Sequence, residues 1–313
     1  HMIQVDNLVK TYGERFAINN ISFKINKGDV VGLLGPNGAG KSTTMKIITG
    51  FMSPTSGTAT VCGFDVFEYP IEVKKRIGYL PENPPLYLDM TVEDYLMYVT
   101  ELKQVPAKDC LSNIESALGK TQLKDVRKRI IKNLSKGFKQ RVGIAQALVS
   151  NPEILILDEP TVGLDPKQVA EIRDLINELK GHHTIILSTH ILSEVQATCN
   201  KIIIIHQGKL ILEDSIENIQ NIRKQQTQLN IKLRQEKDLV ADFKNINGVL
   251  SVNRNSSKSY TLQIENDEVT TESILECIVK TKAGLLELSI NENNLEDVFL
   301  SLTYNNKDEV PSL

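Results

Sequence analysis

The run Gly35-Pro36-Asn37-Gly38-Ala39-Gly40-Lys41-Ser42-Thr43 fits G-x-x-x-x-G-K-[ST], a loop that cradles phosphate groups. Its glycines let successive backbone N–H groups turn inward onto phosphate oxygens. Lys41 supplies a charge for the β- and γ-phosphates, and the Ser42 hydroxyl can ligate Mg²⁺. Far downstream, the apolar run Glu153-Ile154-Leu155-Ile156-Leu157 ends in Asp158-Glu159-Pro160. A carboxylate at the end of a buried strand beside a phosphate loop can hold the Mg²⁺ that bridges β- and γ-phosphates, the part expected of Asp158. Glu159, next in line, is placed to polarise an attacking water. Alone, an Asp-Glu pair at a strand end is solvated polar punctuation. The upstream phosphate loop makes the pair a reactive one.

Those residues need a strand, a loop and a helix in that order. Val30 to Leu34 is a short apolar run that reads as a buried strand, and Thr44-Met45-Lys46-Ile47-Ile48 opens a helix that Gly50 ends. Ahead of them, Ile3 to Leu8 alternates and reads as an edge strand, and Phe16 to Lys24 as a second strand. An antiparallel sheet therefore leads into the loop, with Gly57 to Cys62 as a further strand. Arg76 to Leu80 is a strand that runs through Pro81 to Glu82 and the breakers Asn83-Pro84-Pro85. Residues from Thr91 to about Ser150 read as helical. Thr91 and Asp94 resemble a capping box, Leu96, Val99 and Leu102 form a stripe, and Pro106 breaks the run. Leu134 to Phe138 interrupts the helices and Lys139 to Val149 resumes them. Pro166 to Lys180 is a helix, Thr184 to Thr189 a strand ending in His190, and Lys201 to His206 with Lys209 to Glu213 a hairpin around Gln207-Gly208. A helix is expected from Ser215 to about Gln225.

The composition then shifts. Strands at Leu229–Leu233, Val249–Asn253, Tyr260–Ile264 and Leu285–Ile290 interleave with helices at Asp238–Ile246 and Thr271–Lys282. That βαββαβ order suggests a ferredoxin-like unit. A final helix is expected over Leu295–Thr303, followed by a polar, disordered tail at 304–313. The expected division is a nucleotide-binding domain at 2–223, with a helical subdomain at about 91–150, and an accessory α+β domain at 227–303.

With 36 Lys+Arg against 39 Asp+Glu in 313 residues, the formal charge of −3 argues against a nucleic-acid-coating protein. The four cysteines are far apart and form no C-x-x-C, which fits a reducing compartment and gives no metal motif. No apolar run approaches the roughly 18–20 residues that span a bilayer. The N-terminus enters a strand pattern directly, with no secretory leader, and His1-Met2 reads as a cloning remnant. His182 and His183 follow Gly181 in what reads as a polar turn.

Taken together, Tyr12, GPNGAGKST, Glu82 after GYLP, LSKGFKQRVGIAQAL, ILILDEP, GLDP and His190 resemble the ATPase subunit of an ATP-binding cassette (ABC) transporter, over roughly residues 2–215 and in the family's order. The resemblance implies a phosphate-loop NTPase fold with a parallel-sheet core, an N-terminal antiparallel sheet and a helical subdomain. It implies ATP and Mg²⁺ as cofactors, with Tyr12 stacking on adenine, Glu159 as catalytic base and His190 as switch histidine. Ser135, Lys136 and Gly137 would form the signature that closes on the ATP of a second protomer, and Asp165 in GLDP would communicate across that homodimer. It also implies an integral-membrane permease as partner and a cytoplasmic location, peripheral on the inner face of the membrane.

Three features depart from the family pattern. The usual LSGGQ is Leu134-Ser135-Lys136-Gly137-Phe138. The usual Gln after the strand is Glu82, which offers a full carboxylate to Mg²⁺ and a place in the catalytic set. The C-terminal unit does not resemble the regulatory domain of sugar importers. These variants resemble the export-type subgroup that includes gliding-motility and multidrug ATPases, so the implied function is ATP-driven export by dimerisation. The alternative is a soluble ABC-type ATPase acting on nucleic acid or ribosomes. Such proteins carry paired cassettes or long coiled-coil insertions, which this chain lacks.

Overall fold

The computed structural model describes residues 1–219 and 226–291. The chain divides into two compact units, His1–Ile216 and one that begins at Glu217.

In the first unit, β1 (Ile3–Tyr12), β2 (Arg15–Ile25), β4 (Ser56–Val61) and β5 (Phe64–Asp65) form an antiparallel sheet in the order β2-β1-β4-β5. β1 pairs with β2 on one side and β4 on the other, so it is an inner strand and not the edge its alternation suggested. Alternation reports which faces are buried and says nothing of how many neighbours a strand has. A second sheet has the order β10-β9-β3-β8-β7-β6, built from β3 (Val30–Leu34), β6 (Ile77–Leu80), β7 (Ile154–Asp158), β8 (Thr184–Thr189), β9 (Lys201–His206) and β10 (Lys209–Ser215). All its pairings are parallel except β9 with β10. Every residue of β3, β7 and β8 is buried, as continuous apolar runs require when helices and sheet cover both faces.

The register of this sheet places the chemistry. Leu34 lies opposite Thr189, and Asp158 opposite Ser188. The phosphate loop, the Asp158-Glu159 pair and His190 therefore leave the same edge of the sheet, where its strands end. Open parallel sheets bind ligands at that edge.

Helix α1 (Lys41–Ile48) follows the phosphate loop, and α2 (Pro70–Arg76) precedes β6. The helical segment consists of α3 (Val92–Leu102), α4 (Ala107–Lys120) and α5 (Lys136–Leu148). Thr91 caps α3 by accepting from the Asp94 N–H, as its spacing suggested. Leu96 and Val99 are buried, but Leu102, the third member of the expected stripe, is 63% exposed. Helix α5 begins at Lys136, three residues before the expected start, because Ser135 caps it through the Phe138 N–H at 3.3 Å. Gly137 looked like a break. One glycine costs a helix only about 1 kcal/mol, and here it makes room: a Cβ would come within 2.5 Å of the Gln168 side chain. α6 (Pro166–Leu179) and α7 (Leu192–Thr198) complete the unit.

The second unit runs β11 (Gln226–Leu233), α8 (Val240–Lys244), β12 (Val249–Arg254), β13 (Ser259–Glu265), α9 (Glu268–Lys280) and β14 (Leu285–Asn291). Its antiparallel sheet has the order β12-β13-β11-β14, the ferredoxin-like arrangement that the βαββαβ order suggested. Leu229, Phe243, Tyr260, Leu262 and Ile274 form its own core. Ser215 ends β10 and residues 216–219 are helical, while the rest of the helix expected to about Gln225 lies outside the described residues. So do the helix expected at Leu295–Thr303 and the tail at 304–313.

Candidate nucleotide site

The phosphate loop keeps its shape through close backbone approaches. Gly35 lies against the Ile205 carbonyl, where a Cβ would stand 2.2 Å from its oxygen. Gly40 has φ +109° and a Cβ there would meet the Ala17 carbonyl at 2.5 Å. From the hairpin turn, the Gly208 N–H donates to the Ala39 carbonyl at 2.9 Å, and its carbonyl accepts from the Asn19 N–H at 2.7 Å. The loop is thus held from behind by the antiparallel sheet and the β9–β10 turn, a support that no motif in the sequence announced.

Lys41 is 5% exposed, and its ammonium donates to the Gly35 and Pro36 carbonyls at 2.7 and 3.2 Å. It also lies 3.6 Å from Glu159 Oε1. Burial pulls the Lys41 pKa below the ordinary lysine value, and Glu159, Asp158 and Glu82 oppose that pull in decreasing order. Ser42 Oγ donates to Asp158 Oδ1 at 3.3 Å. This hydroxyl and carboxylate are hard oxygen donors joined at the root of the cleft, so the residues present fit Mg²⁺.

Glu159 is 6% exposed and adopts φ +49°, uncommon for a residue with a Cβ. Its N–H donates to the Ser188 carbonyl at 3.0 Å, which ties the end of β7 to β8. His190 Nδ1 lies 3.0 Å from Glu159 Oε2. An ionised carboxylate only accepts, so this bond forms when Nδ1 carries the proton.

Lys41, Ser42, Glu159 and His190 line one cleft of 720 Å³, together with Tyr12, Asn37, Gly38, Gly40, Thr43 and Glu82. Tyr12 is 53% exposed at its rim, with the Lys10 ammonium 5.4 Å from the ring centroid. Arg15, Phe16 and Ala17 also line the cleft and were not singled out in the sequence. Phe16 is half exposed beside a register shift in the β1–β2 pairing, which no motif in the sequence signals. Gly35, Pro36, Ala39 and Asp158 are not among the lining residues.

Ser135, Lys136, Gly137 and Asp165 are not brought to this cleft. Ser135 and Gly137 border a separate small cavity with Gln168 and Glu171. Asp165 is the N-cap of α6, in a capping box with Gln168. Arg141 of α5 pairs with Glu171 of α6. His183, expected in a polar turn, is 4% exposed, with Nδ1 at 2.7 Å from the Pro152 carbonyl.

Residues 18–162 match the family described as ABC transporter, and residues 218–303 match the C-terminal domain of ATP-binding proteins like DrrA1-3. The lantibiotic transport ATP-binding protein SrtF of Streptococcus pyogenes is 43% identical over 71% of this chain and 94% of its own length. The bacitracin transport ATP-binding protein BcrA of Bacillus licheniformis is 30% identical over 96% of this chain and 97% of its own. A dimeric post-hydrolysis state of an ATP-binding cassette with ADP and Pi superposes with a TM-score of 0.63 at 26% identity, covering 69% of this chain and 99% of that one. The cleft, the sheet edge that builds it and these likenesses agree, and the chain belongs to the ABC transporter family as an ATP-binding ATPase subunit.

Proposed function

We propose that this chain powers export through a separate membrane-spanning partner, and that two copies close on two ATP molecules to do so. The observation that carries this reading is the division of the site. Phosphate-loop residues, Glu159 and His190 line one cleft, with Asp158 bonded to Ser42 beside it, while Ser135 and Gly137 border another cavity and Asp165 caps α6. A second copy would supply them to the nucleotide, with the start of α5 offering N–H donors and a positive dipole end. The dimeric cassette with ADP and Pi supports that arrangement, and the transport named for SrtF and BcrA supports the wider role.

Within the cleft, Tyr12 stacks on adenine and Lys41 exchanges its loop carbonyls for the β- and γ-phosphates. Ser42, Asp158 and Glu82 would hold Mg²⁺, which would neutralise charge on the phosphates. Glu159 accepts the proton of the attacking water, and His190 holds that carboxylate in place. No described helix is long and apolar enough to cross a membrane. We place the chain in the cytoplasm, peripheral on the inner face of the membrane and docked on the permease. The second unit carries no catalytic cluster in its sequence, and we assign it to dimerisation or partner docking.

Copurification of the full chain from cells is the test. A multi-helix membrane protein that copurifies and raises the ATPase rate is the expected result. Recovery of RNA or ribosomal particles in its place would overturn export in favour of a soluble ATPase.

A further inference from the structure

Glu194 lies in α7, outside every motif of the cleft, and is 5% exposed. A buried carboxylate is costly unless its oxygens are satisfied. Both are, and by hydroxyls rather than by a cation. Thr161 Oγ1 donates to Oε1 at 2.6 Å, and Thr189 Oγ1 donates to Oε2 at 2.9 Å. Both threonines are themselves buried. Thr189 Oγ1 in turn accepts from the Ile191 N–H at 3.1 Å, so its one proton is committed to Glu194.

The positions of these threonines give the contact its meaning. Thr161 stands two residues after Glu159, and Thr189 immediately precedes His190. The segments after β7 and β8 are therefore crossed three times. The Glu159 N–H reaches the Ser188 carbonyl, the Glu159 side chain accepts from His190, and Glu194 grips one threonine from each segment. Glu159 needs such a frame, because a residue with a Cβ at φ +49° persists only where its surroundings over-determine it. An acceptor with two equivalent oxygens suits the task. A glutamine has one acceptor oxygen and turns an N–H₂ towards the other hydroxyl, which must then give up its donor role.

We propose that Glu194 is a positioning residue for ATP hydrolysis, which fixes the segments bearing Glu159 and His190 relative to each other. The proposal rests on Glu159 being the base. It predicts a loss in kcat without a loss in nucleotide binding, because the Lys41 ammonium and the phosphate loop keep their partners at Gly35, Pro36 and Gly208.

The test uses the full-length chain with Glu194→Gln and Thr161→Val, with Thr161→Ser as the conservative counterpart. Nucleotide affinity, thermal unfolding and ATPase rate are measured on each. Glu194→Gln and Thr161→Val are expected to bind ATP as the parent does and to lose about 10²-fold in kcat, the scale of a 1 Å misplacement. Thr161→Ser, which keeps the hydroxyl, should retain most of the rate. Under single-turnover conditions, Glu194→Gln in a His190→Ala background should cost far less than in the parent, because residues acting as one unit are not additive. An unchanged kcat in a folded Glu194→Gln overturns the proposal. So does a full, additive loss in the His190→Ala background, or a loss of rate that merely follows a loss of ATP binding. If Glu194→Gln does not fold, the Thr161 pair decides alone. Glu159→Gln is the reference: normal hydrolysis there removes the base assignment on which the proposal stands. An inactive Glu159→Gln beside a fully active Glu194→Gln removes Glu194 only.

Discussion

Replacing Glu159 with glutamine separates the two halves of nucleotide chemistry, and the geometry says in which direction each should move. Glu159 Oε1 stands 3.6 Å from the Lys41 ammonium, with side-chain exposures of 7% and 5%. At an effective dielectric of about 20, that separation corresponds to an attraction of ~5 kcal/mol. A phosphate entering the loop must compete with this attraction as well as with the Gly35 and Pro36 carbonyls. Glu159→Gln removes the charged competitor and leaves a side chain of the same shape, so ATP should bind at least as tightly as in the parent. Turnover should fall by about 10²–10⁴-fold, the usual loss for a positioned base, or roughly 3–5 kcal/mol of barrier. The same substitution removes the largest influence that holds the Lys41 pKa up against burial. Nucleotide affinity should then begin to fall at a lower pH than in the parent, as Lys41 loses its proton earlier. Equilibrium binding across pH and steady-state ATPase rates measure both effects, and size-exclusion chromatography with Mg²⁺-ATP should show a trapped dimer. A monomeric variant that hydrolyses ATP normally would refute the assignment, and one that fails to bind ATP would refute the competition argument.

Two further substitutions address the metal and the scaffold. Glu82 is exposed on the cleft wall, and Glu82→Gln should keep the maximal ATPase rate but require more Mg²⁺, because a neutral carbonyl holds the ion less strongly than a carboxylate; an unchanged Mg²⁺ titration would sink this role. Lys103 donates to the Lys74 and Ile77 carbonyls at the end of α2, and burial brings its pKa down from 10.5 to about 8. The folded state therefore resists protonation of Lys103, a cost fully present below about pH 8 and relieved as pH rises towards 10.5. Lys103→Met should flatten that rise in stability, at most about 3 kcal/mol, in urea unfolding between these pH values. Identical pH slopes for parent and variant would contradict it.

What the sequence made legible was whatever is contiguous. The phosphate loop declares itself because strand, loop and helix are consecutive, and the Asp158-Glu159 pair because an apolar strand points at it. His190 gained its expected role only through the family resemblance, and the ferredoxin-like unit was suggested by the βαββαβ order of short elements. The misses have the opposite character. β1 is an inner strand because β4 pairs with it from more than forty residues away. His183 looked like turn polarity, yet the Pro152 carbonyl, on the lead-in to β7, partners its Nδ1 within the buried interior. Glu194 had no sequence signal at all. A glutamate near the start of a short helix is ordinary, and only the meeting of two threonines from separate loops makes it notable.

Lys136 shows how a departure from a pattern acquires a physical reason. In the family's usual signature this position is glycine, and here its long side chain lies over Gly163, where a Cβ would collide with the ammonium. Gly163 has φ +70°, so its glycine answers both to the backbone and to Lys136. Two more contacts join the same elements: Gly137 against the Gln168 side chain, and Arg141 with Glu171. The start of α5 is thereby fastened to the stretch 163–171. That stretch begins two residues after Thr161, which Glu194 ties to the segment bearing His190.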